Sequence, residues 1–279
     1  MKKIIAAFDG LKFSESTMNY AIQLAKQSSA HLVGIFLDDF TYHSYKIYDL
    51  IKEEGGIFES KRKRLEKKDA KTRAVAVDNF ETTCRKSRLE YTLHRDRGIA
   101  IKELLHESIY ADLLIIDSNE TLTHYPETIP TRFIRDLLIN VQCPVLIVPG
   151  KFTPVNKLVL LYDGEPSSVH AIKMFSYTLP ALKQNPVEVI SVNTVKKSQY
   201  MPDKKLMKEF MNRHYPQAIY TIIKGIPETE IVKYLKSQKD IPLVVLGAYR
   251  RGMVSRWFRE SMGDVLMKEL KVPLFIAHN

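Results

Sequence analysis

The sequence predicts an α/β protein built from two open, parallel-sheet layers in tandem. Its 279 residues suit two domains of about 140 residues each. Its apolar segments are unbroken aliphatic runs separated by helical stretches, which is typical of parallel strands that are buried on both faces. Four segments of the first half also recur in the same order in the second half. Together these observations predict a duplicated, doubly wound fold.

The first predicted strand of each half carries the clearest part of the repeat. Residues 3–10 (KIIAAFDG) recur as residues 157–164 (KLVLLYDG), and both apolar runs end in Asp-Gly. A helical stretch follows each run, and each stretch has serine near its start as the expected N-cap. The stretches are Glu15–Gln27 after Ser14, and Ser167–Leu179 with Ser167 or Ser168 as the cap.

Three later segments repeat as well. They are GIA at 98–100 against GIP at 225–227, ADLLIID at 111–117 against IPLVVLG at 241–247, and CPVLIV at 143–148 against VPLFIA at 272–277. The repeat predicts domains at residues 1–150 and 155–279, related by an internal pseudo-twofold axis.

Composition and charge narrow the class of protein. The chain is 45% hydrophobic and 27% charged, which is typical of a soluble globular protein, and the apolar stretch at its start ends after five residues at Asp9. We therefore expect a cytoplasmic protein. The first 150 residues carry 22 Lys and Arg against 21 Asp and Glu, whereas the remainder carries 20 against 11. This asymmetry favours an anionic partner for the second half, although solubility alone is the alternative explanation.

Two cysteines are too few for a disulfide framework or a cysteine-built metal site. Cys143 precedes Pro144 at the start of an apolar strand and is expected to be buried and inert. Cys84 lies in a polar helical stretch beside Arg85 and Lys86, so we expect an exposed thiol whose pKa those cations could lower.

The strand ends are the expected place for a ligand, because open α/β sheets bind ligands at the carboxyl ends of their strands. Asp9 and Asp163 each follow the first strand of their half. A carboxylate there can accept hydrogen bonds from a ribose hydroxyl or a base amine. The alternative is that Asp-Gly only forms a tight turn.

The order of these segments, present twice, resembles the universal stress proteins and specifically their tandem-domain members. The resemblance covers the whole chain and implies two Rossmann-like domains of the adenine nucleotide alpha hydrolase type, paired through their last strands. It also implies a role in the stress response. Some members of the family bind ATP, and these carry Gly-x2-Gly-x9-Gly-[Ser/Thr] after the fourth strand. Glycines in such a loop let backbone N–H groups approach phosphate closely.

The second half keeps part of this motif. The spacing places Gly247, Arg250, Glu260 and Ser261 at the four positions, so that the length, the first glycine and the final hydroxyl remain. Arginine could contact phosphate through its side chain, and Gly252 could open the loop. The candidate nucleotide-binding residues of the second half are Asp163, Gly164, Gly247, Arg250, Arg251, Gly252 and Ser261.

The first half keeps less of this motif than the second. The same spacing gives Asp117, Glu120, Pro130 and Thr131, of which only the threonine fits. Acidic side chains repel phosphate and proline lacks an N–H group, so we expect a vestigial site in which only Asp9 and Thr131 remain.

No catalytic constellation can be assembled from the sequence. It contains no Walker sequence, nucleophile elbow or HExxH motif, and its eight histidines are dispersed, so no metal site is expected. The first hypothesis is a non-enzymatic stress protein whose second half binds ATP, with Mg, or another anionic nucleotide. The second is a scaffold that has lost nucleotide binding and acts through protein contacts, and a slow ATPase or phosphotransferase is a third.

The expected partners are proteins that the sequence does not name. The halves should form a pseudo-dimer with each other, and a homodimer is an open alternative. We expect no membrane association and no specific nucleic acid, because no recognition motif for DNA or RNA is visible.

Overall fold

The computed structural model describes residues 2–39, 42–44, 57–193, 200–247 and 261–278. The strands in these ranges are β1 (Lys3–Asp9), β2 (His31–Asp39), β3 (Tyr91–Gly98), β4 (Leu113–Asp117), β5 (Val145–Val148), β6 (Leu158–Leu161), β7 (Val187–Asn193), β8 (Ile219–Lys224), β9 (Leu243–Gly247) and β10 (Leu274–Ala277). The α-helices are α1 (Glu15–Ser28), α2 (Ile57–Lys86), α3 (Ala100–Ser108), α4 (Arg132–Asn140), α5 (Pro166–Thr178), α6 (Lys204–His214), α7 (Pro227–Lys236) and α8 (Met262–Glu269). A short 3-10 helix covers Pro180–Gln184.

All strands of the described residues join one sheet in the order β3-β2-β1-β4-β5-β10-β9-β6-β7-β8. Each half is parallel, with its first strand between its second and fourth, as expected for a doubly wound α/β layer. The halves meet where β5 and β10 pair antiparallel, with Leu146 opposite Phe275. The terminal strands therefore lie side by side, and the predicted fold of two Rossmann-like halves with opposite strand directions is confirmed.

Helices cover both faces of the sheet, and side chains that alternate along each strand supply two apolar layers. One layer packs under α1, α2, α5 and α6, and it contains Phe8, Phe80, Phe175 and Met207. The other packs under α3, α4, α7 and α8. Burial on both faces explains why the strands are continuous aliphatic runs.

The helices that follow the first strand of each half, α1 and α5, begin in different ways. Ser14 caps α1 as predicted, and its Oγ accepts a hydrogen bond from the backbone N–H of Thr17 at 3.1 Å. The prediction of Ser167 or Ser168 as the cap of α5 is wrong, because that helix begins at Pro166, after Glu165. Proline at the first helical position has no N–H to satisfy and already holds a helical φ, so the helix starts before the serines.

Both cysteines are buried, which corrects the expectation for Cys84. Its side chain lies on the apolar stripe of α2 with Phe80, one turn away, while the neighbouring basic residues face solvent. Burial raises the pKa of both thiols to about 12. Within the ranges that the structure describes, no helix is both long enough and apolar enough to cross a membrane.

Candidate functional site

The carboxyl ends of the first and fourth strands lie side by side in each half. In the first half β1 ends at Asp9 and β4 at Asp117, and the two strands pair directly. In the second half β6 and β9 pair in the same way, and β9 ends at Gly247. Candidate residues from the two predicted segments of each half are thus brought to one edge of the sheet.

Asp9 is sealed inside the first half. It is 1% exposed, and its Oδ1 accepts a hydrogen bond from the backbone N–H of Leu11 at 2.7 Å. Tyr42 covers it, and burial together with the nearby Asp9 carboxylate raises the pKa of the Tyr42 hydroxyl. Burial also raises the pKa of Asp9 itself. The residue turns the chain, as one interpretation predicted, but it is also walled off from solvent.

Glu120 occupies the buried space beside Asp9. Its Oε1 accepts hydrogen bonds from the backbone N–H groups of Thr121 at 2.9 Å and Leu122 at 3.0 Å. Burial, and then the negative charge of Asp9, raise the pKa of Glu120 to about 8. A glutamate carboxylate thus takes up backbone donors that a bound anion would need.

Thr131 is an N-cap in this structure. Its Oγ accepts a hydrogen bond from the backbone N–H of Ile134 at 3.2 Å, and its hydroxyl donates to the backbone oxygen of Glu120. One bond caps α4, and the other ties the start of that helix to the loop after β4. Asp117 is also engaged, because its Oδ2 accepts a 2.6 Å hydrogen bond from Ser14, the cap of α1.

Asp163 differs sharply from its counterpart Asp9. Its side chain is exposed, and its Oδ1 accepts a hydrogen bond from the backbone N–H of Glu165 at 2.9 Å. Gly164 follows with a φ of +86°, and a Cβ on it would lie 2.7 Å from the Cβ of Pro202. The turn after β6 therefore requires glycine for two reasons: its backbone conformation, and its close packing on Pro202.

Gly247 lies against the first turn of α5. A Cβ on this residue would lie 2.3 Å from the backbone oxygen of Ser167 and 2.8 Å from the backbone nitrogen of Ser168. No side chain fits in that gap. Close packing of β9 on α5 is thus sufficient to require glycine here, with or without a ligand.

Ser261 caps α8 through a reciprocal pair of hydrogen bonds. Its Oγ accepts from the backbone N–H of Asp264 at 3.1 Å, and the Asp264 carboxylate accepts from the backbone N–H of Ser261 at 3.2 Å. This capping box uses donors at the amino end of the helix. Arg250, Arg251, Gly252 and Glu260 lie outside the described residues.

A buried acid in the second half was missed by the sequence analysis. Glu188 lies within an apolar strand, is 2% exposed, and forms an ion pair with Lys157 at 2.8 Å. Burial alone would raise its pKa, but hydrogen bonds from Lys157, Thr221 and Tyr234 lower it overall. Only the glutamate within β7 signals this network in the sequence, since its partners are distant along the chain.

No metal site is formed by the part of the chain that the structure describes, because it contains no group of three or more His, Cys, Asp or Glu side chains placed to hold an ion. The groups that the described residues bring to these strand ends are carboxylates, glycine turns and a capped helix.

Comparison with solved structures decides the fold. A universal stress protein from Archaeoglobus fulgidus DSM 4304 superposes along the whole chain, with a TM-score of 0.66 at 13% identity, covering 99% of this chain and 98% of its own. The chain has the tandem universal stress protein fold. A protein of unknown function from Pseudomonas aeruginosa PAO1 shares this fold, with a TM-score of 0.64 at 12% identity, covering 100% of this chain and 92% of its own.

A universal stress protein solved in complex with cAMP aligns with 45% of this chain and 98% of its own, at 15% identity and a TM-score of 0.37. The sequence matches no protein-family model and no curated protein at a significant level. The universal stress protein fold of this chain is thus evident in its three-dimensional structure, whereas pairwise sequence identity to the proteins that share it is low.

Proposed function

We propose that this chain is a non-enzymatic, cytoplasmic stress-response protein of the universal stress protein type, with domains at residues 1–150 and 155–279. In this proposal the second half binds ATP, with Mg, or another anionic nucleotide, and the first half does not. Unidentified proteins respond to the nucleotide-bound state. The proposed binding residues are Asp163, Gly164, Gly247, Arg250, Arg251, Gly252 and Ser261.

The observation that carries this proposal is the contrast between Asp9 and Asp163. These residues end the equivalent first strands, yet Asp9 is sealed beneath Tyr42 and beside Glu120, whereas Asp163 faces solvent. A solvent-facing carboxylate can accept hydrogen bonds from a ribose hydroxyl or a base amine. A carboxylate buried with a second acid offers no room for one and repels phosphate.

The distribution of charge also supports a nucleotide site in the second half and none in the first. The excess of basic residues lies in the second half, and four of its arginines belong to the segment between Gly247 and Ser261. A phosphate group close to these arginines would gain charge-assisted hydrogen bonds. The first half carries no comparable excess, and it has Asp117 and Glu120 at the positions of Gly247 and Arg250.

A scaffold without a ligand is the second candidate, and two observations favour it. Gly247 is explained by its packing on α5, and Ser261 is explained by its capping box, so neither needs a phosphate. A slow ATPase is the least supported alternative, because no specific observation on the described residues favours it over binding alone.

Calorimetric titration with Mg-ATP tests the proposal. We expect one site of micromolar affinity that is lost in Asp163→Ala and weakened in Arg250→Ala. Asp240→Ala is the matched control, since Asp240 is an exposed acid at the amino end of β9, opposite the proposed site. No heat and no thermal stabilisation at millimolar Mg-ATP would overturn nucleotide binding and support the scaffold. Phosphate release measured on the same samples distinguishes ATP hydrolysis from binding alone.

A further inference from the structure

A cavity of about 540 Å³ lies between α5 and α6 in the second half. Its floor includes Tyr162 and Met207, which belong to the apolar layer that α1, α2, α5 and α6 cover. The cavity thus lies mainly on the opposite face of the sheet from α8 and its capped amino end. Gly164 is the one residue that it shares with the proposed nucleotide site.

The first half fills the equivalent space with aromatic rings. Phe8 stacks on Phe13 with ring centroids 4.9 Å apart and on Phe36 at 5.2 Å, and Phe80 closes the cluster edge-on. The repeat that equates Asp9 with Asp163 places Tyr162 at the position of Phe8. Five residues separate Asp9 from α1 but two separate Asp163 from α5, so the connection that carries Phe13 is shorter in the second half.

The third ring is absent too. Phe8 pairs with Phe36 in the register of β1 and β2, and Leu161 pairs with Ile190 in that of β6 and β7. Tyr162 follows Leu161, so Ser191 stands at the position of Phe36. The shorter connection after Asp163 and the serine at the position of Phe36 leave the second half without two of the three stacked rings, and a cavity lies beside Tyr162.

Ser191 is itself an unusual residue for an apolar layer. It is 1% exposed, and its Oγ has no hydrogen-bond partner within the described part of the chain. It lies two residues beyond Val189, so the alternation of the strand directs it to the same face as the cavity. A buried hydroxyl without a partner is costly, so the apolar layer beside Tyr162 is less well satisfied here than in the first half, although Ser191 itself does not line the cavity.

The charges at the cavity are unbalanced. Lys173 lines it from α5, and its ammonium group makes no ion pair with any of the described residues. Asp203 is the one carboxylate among the lining residues, and it stands at the N-cap of α6, where the helix dipole stabilises its charge. The positive charge of Lys173 thus remains available to an anionic group.

The remaining walls are apolar and partly open to solvent. Leu206, on the first turns of α6, is 66% exposed, and Val169 and Phe210 are half-buried. Methionine at 207 adds an unbranched side chain that adapts to different ligand shapes. Apolar walls with a few polar groups, in a volume of this size, are typical of sites for small organic molecules.

We propose that the cavity between α5 and α6 binds a small amphipathic anion, with its apolar body against Tyr162, Met207 and Phe210 and its anionic group at Lys173. This site is distinct from the proposed nucleotide site. Among the described residues of the first half, stacked phenylalanines fill the corresponding space.

Fluorescence titration with 1-anilinonaphthalene-8-sulfonate tests this inference, since the probe joins an aromatic body to a sulfonate. The folded full-length chain should bind the probe saturably at one site. Lys173→Gln should weaken binding about fivefold, the effect of losing one charged contact, and Leu206→Asp should weaken it about tenfold. Both positions are accessible enough that the fold should survive, which far-ultraviolet circular dichroism checks.

Two control variants match these changes elsewhere on the surface. Lys208→Gln removes an exposed lysine of α6 outside the cavity, and Ile226→Asp places an acid at a residue that is also 66% exposed. Both should bind the probe as the parent chain does. The absence of saturable binding, or equal affinity in all four variants, would overturn the inference.

The outcome is separable from that of the nucleotide proposal. Leu206→Asp should leave the heat of Mg-ATP binding unchanged, and Asp163→Ala should leave probe affinity unchanged.

Discussion

Gly247 and the backbone of Ser167 approach so closely that a single methyl group cannot lie between them. A Cβ added to Gly247 would lie only 2.3 Å from the Ser167 oxygen. This contact fixes the end of β9 against the start of α5. It gives the retained glycine a role in packing that is independent of any ligand.

Gly247→Ala should therefore lower the free energy of unfolding by about 3 kcal/mol, because β9 or α5 must shift to admit the Cβ. Gly263→Ala is the matched control, since a Cβ there meets its nearest atoms at ordinary distances of 3.6–3.7 Å. Replacing glycine by alanine within α8 should be neutral or slightly stabilising. Urea unfolding of both variants measures the difference, and an unchanged midpoint for Gly247→Ala would show that the contact is easily relaxed.

Glu120 should make the stability of the chain fall as the pH rises. Its pKa is raised to about 8 in the folded protein, above its ordinary value, so the folded state binds the proton more tightly than the unfolded state. Its contribution is therefore fully present below about pH 4.5 and is lost as the pH rises towards 8. Asp9, Asp117 and Tyr42 are the titratable groups that share this environment.

Glu120→Gln keeps the shape of the side chain and cannot ionise. Relative to the parent chain, it should gain up to about 3 kcal/mol between pH 5 and pH 8, and thermal unfolding across this range measures the gain. Glu209→Gln, at an exposed position on α6, should follow the parent profile. Parallel profiles for the parent and Glu120→Gln would mean that Glu120 ionises normally in the folded protein.

Lys157 should be essential for stability because it neutralises Glu188 inside the second half. Lys157→Met would leave a carboxylate that is 2% exposed without its cation, at a cost of about 3 kcal/mol in chemical denaturation. Adding Glu188→Gln removes the unpaired charge and should recover a large part of that loss. If the two changes were simply additive, the ion pair would contribute nothing as a pair.

The two cysteines should be unreactive in the folded chain. Both thiols are buried, and burial raises the pKa of each to about 12, so very little thiolate forms at pH 8. Ellman's reagent should label them only after guanidinium is added. A rapid stoichiometric reaction of the native protein would contradict the burial of Cys84 on α2, and a Cys84→Ser variant would identify the residue responsible.

The strands and the duplication could be predicted because they depend on patterns of residue types along the chain. Continuous aliphatic runs predicted buried parallel strands, and the repeat placed Asp9 and Asp163 at equivalent strand ends. These two inferences need only the period and order of residue types along the chain. That residues 143–148 and 272–277 lie together was implied by the resemblance to tandem universal stress proteins.

The environment of each candidate residue could not be predicted in this way. Tyr42 covers Asp9 from a separate segment, and no local pattern marks a tyrosine as a cover. Cys84 is surrounded by polar neighbours in sequence but lies on the buried stripe of a 30-residue helix whose mean hydropathy is low. Glu188 interrupts an apolar run, and only the position of Lys157 in space shows why a buried acid is tolerated there.

The antiparallel pairing of β5 with β10 within one chain affects how the protein can evolve. Two separate identical chains that associate must carry the same residues at both copies of every position, so a change that harms one site harms both. Here one polypeptide contains both partners, and each can diverge while the other retains its properties. The sealed acids and stacked phenylalanines of the first half, beside the solvent-facing aspartate and open cavity of the second, are the kind of asymmetry that only a covalently joined pair can maintain.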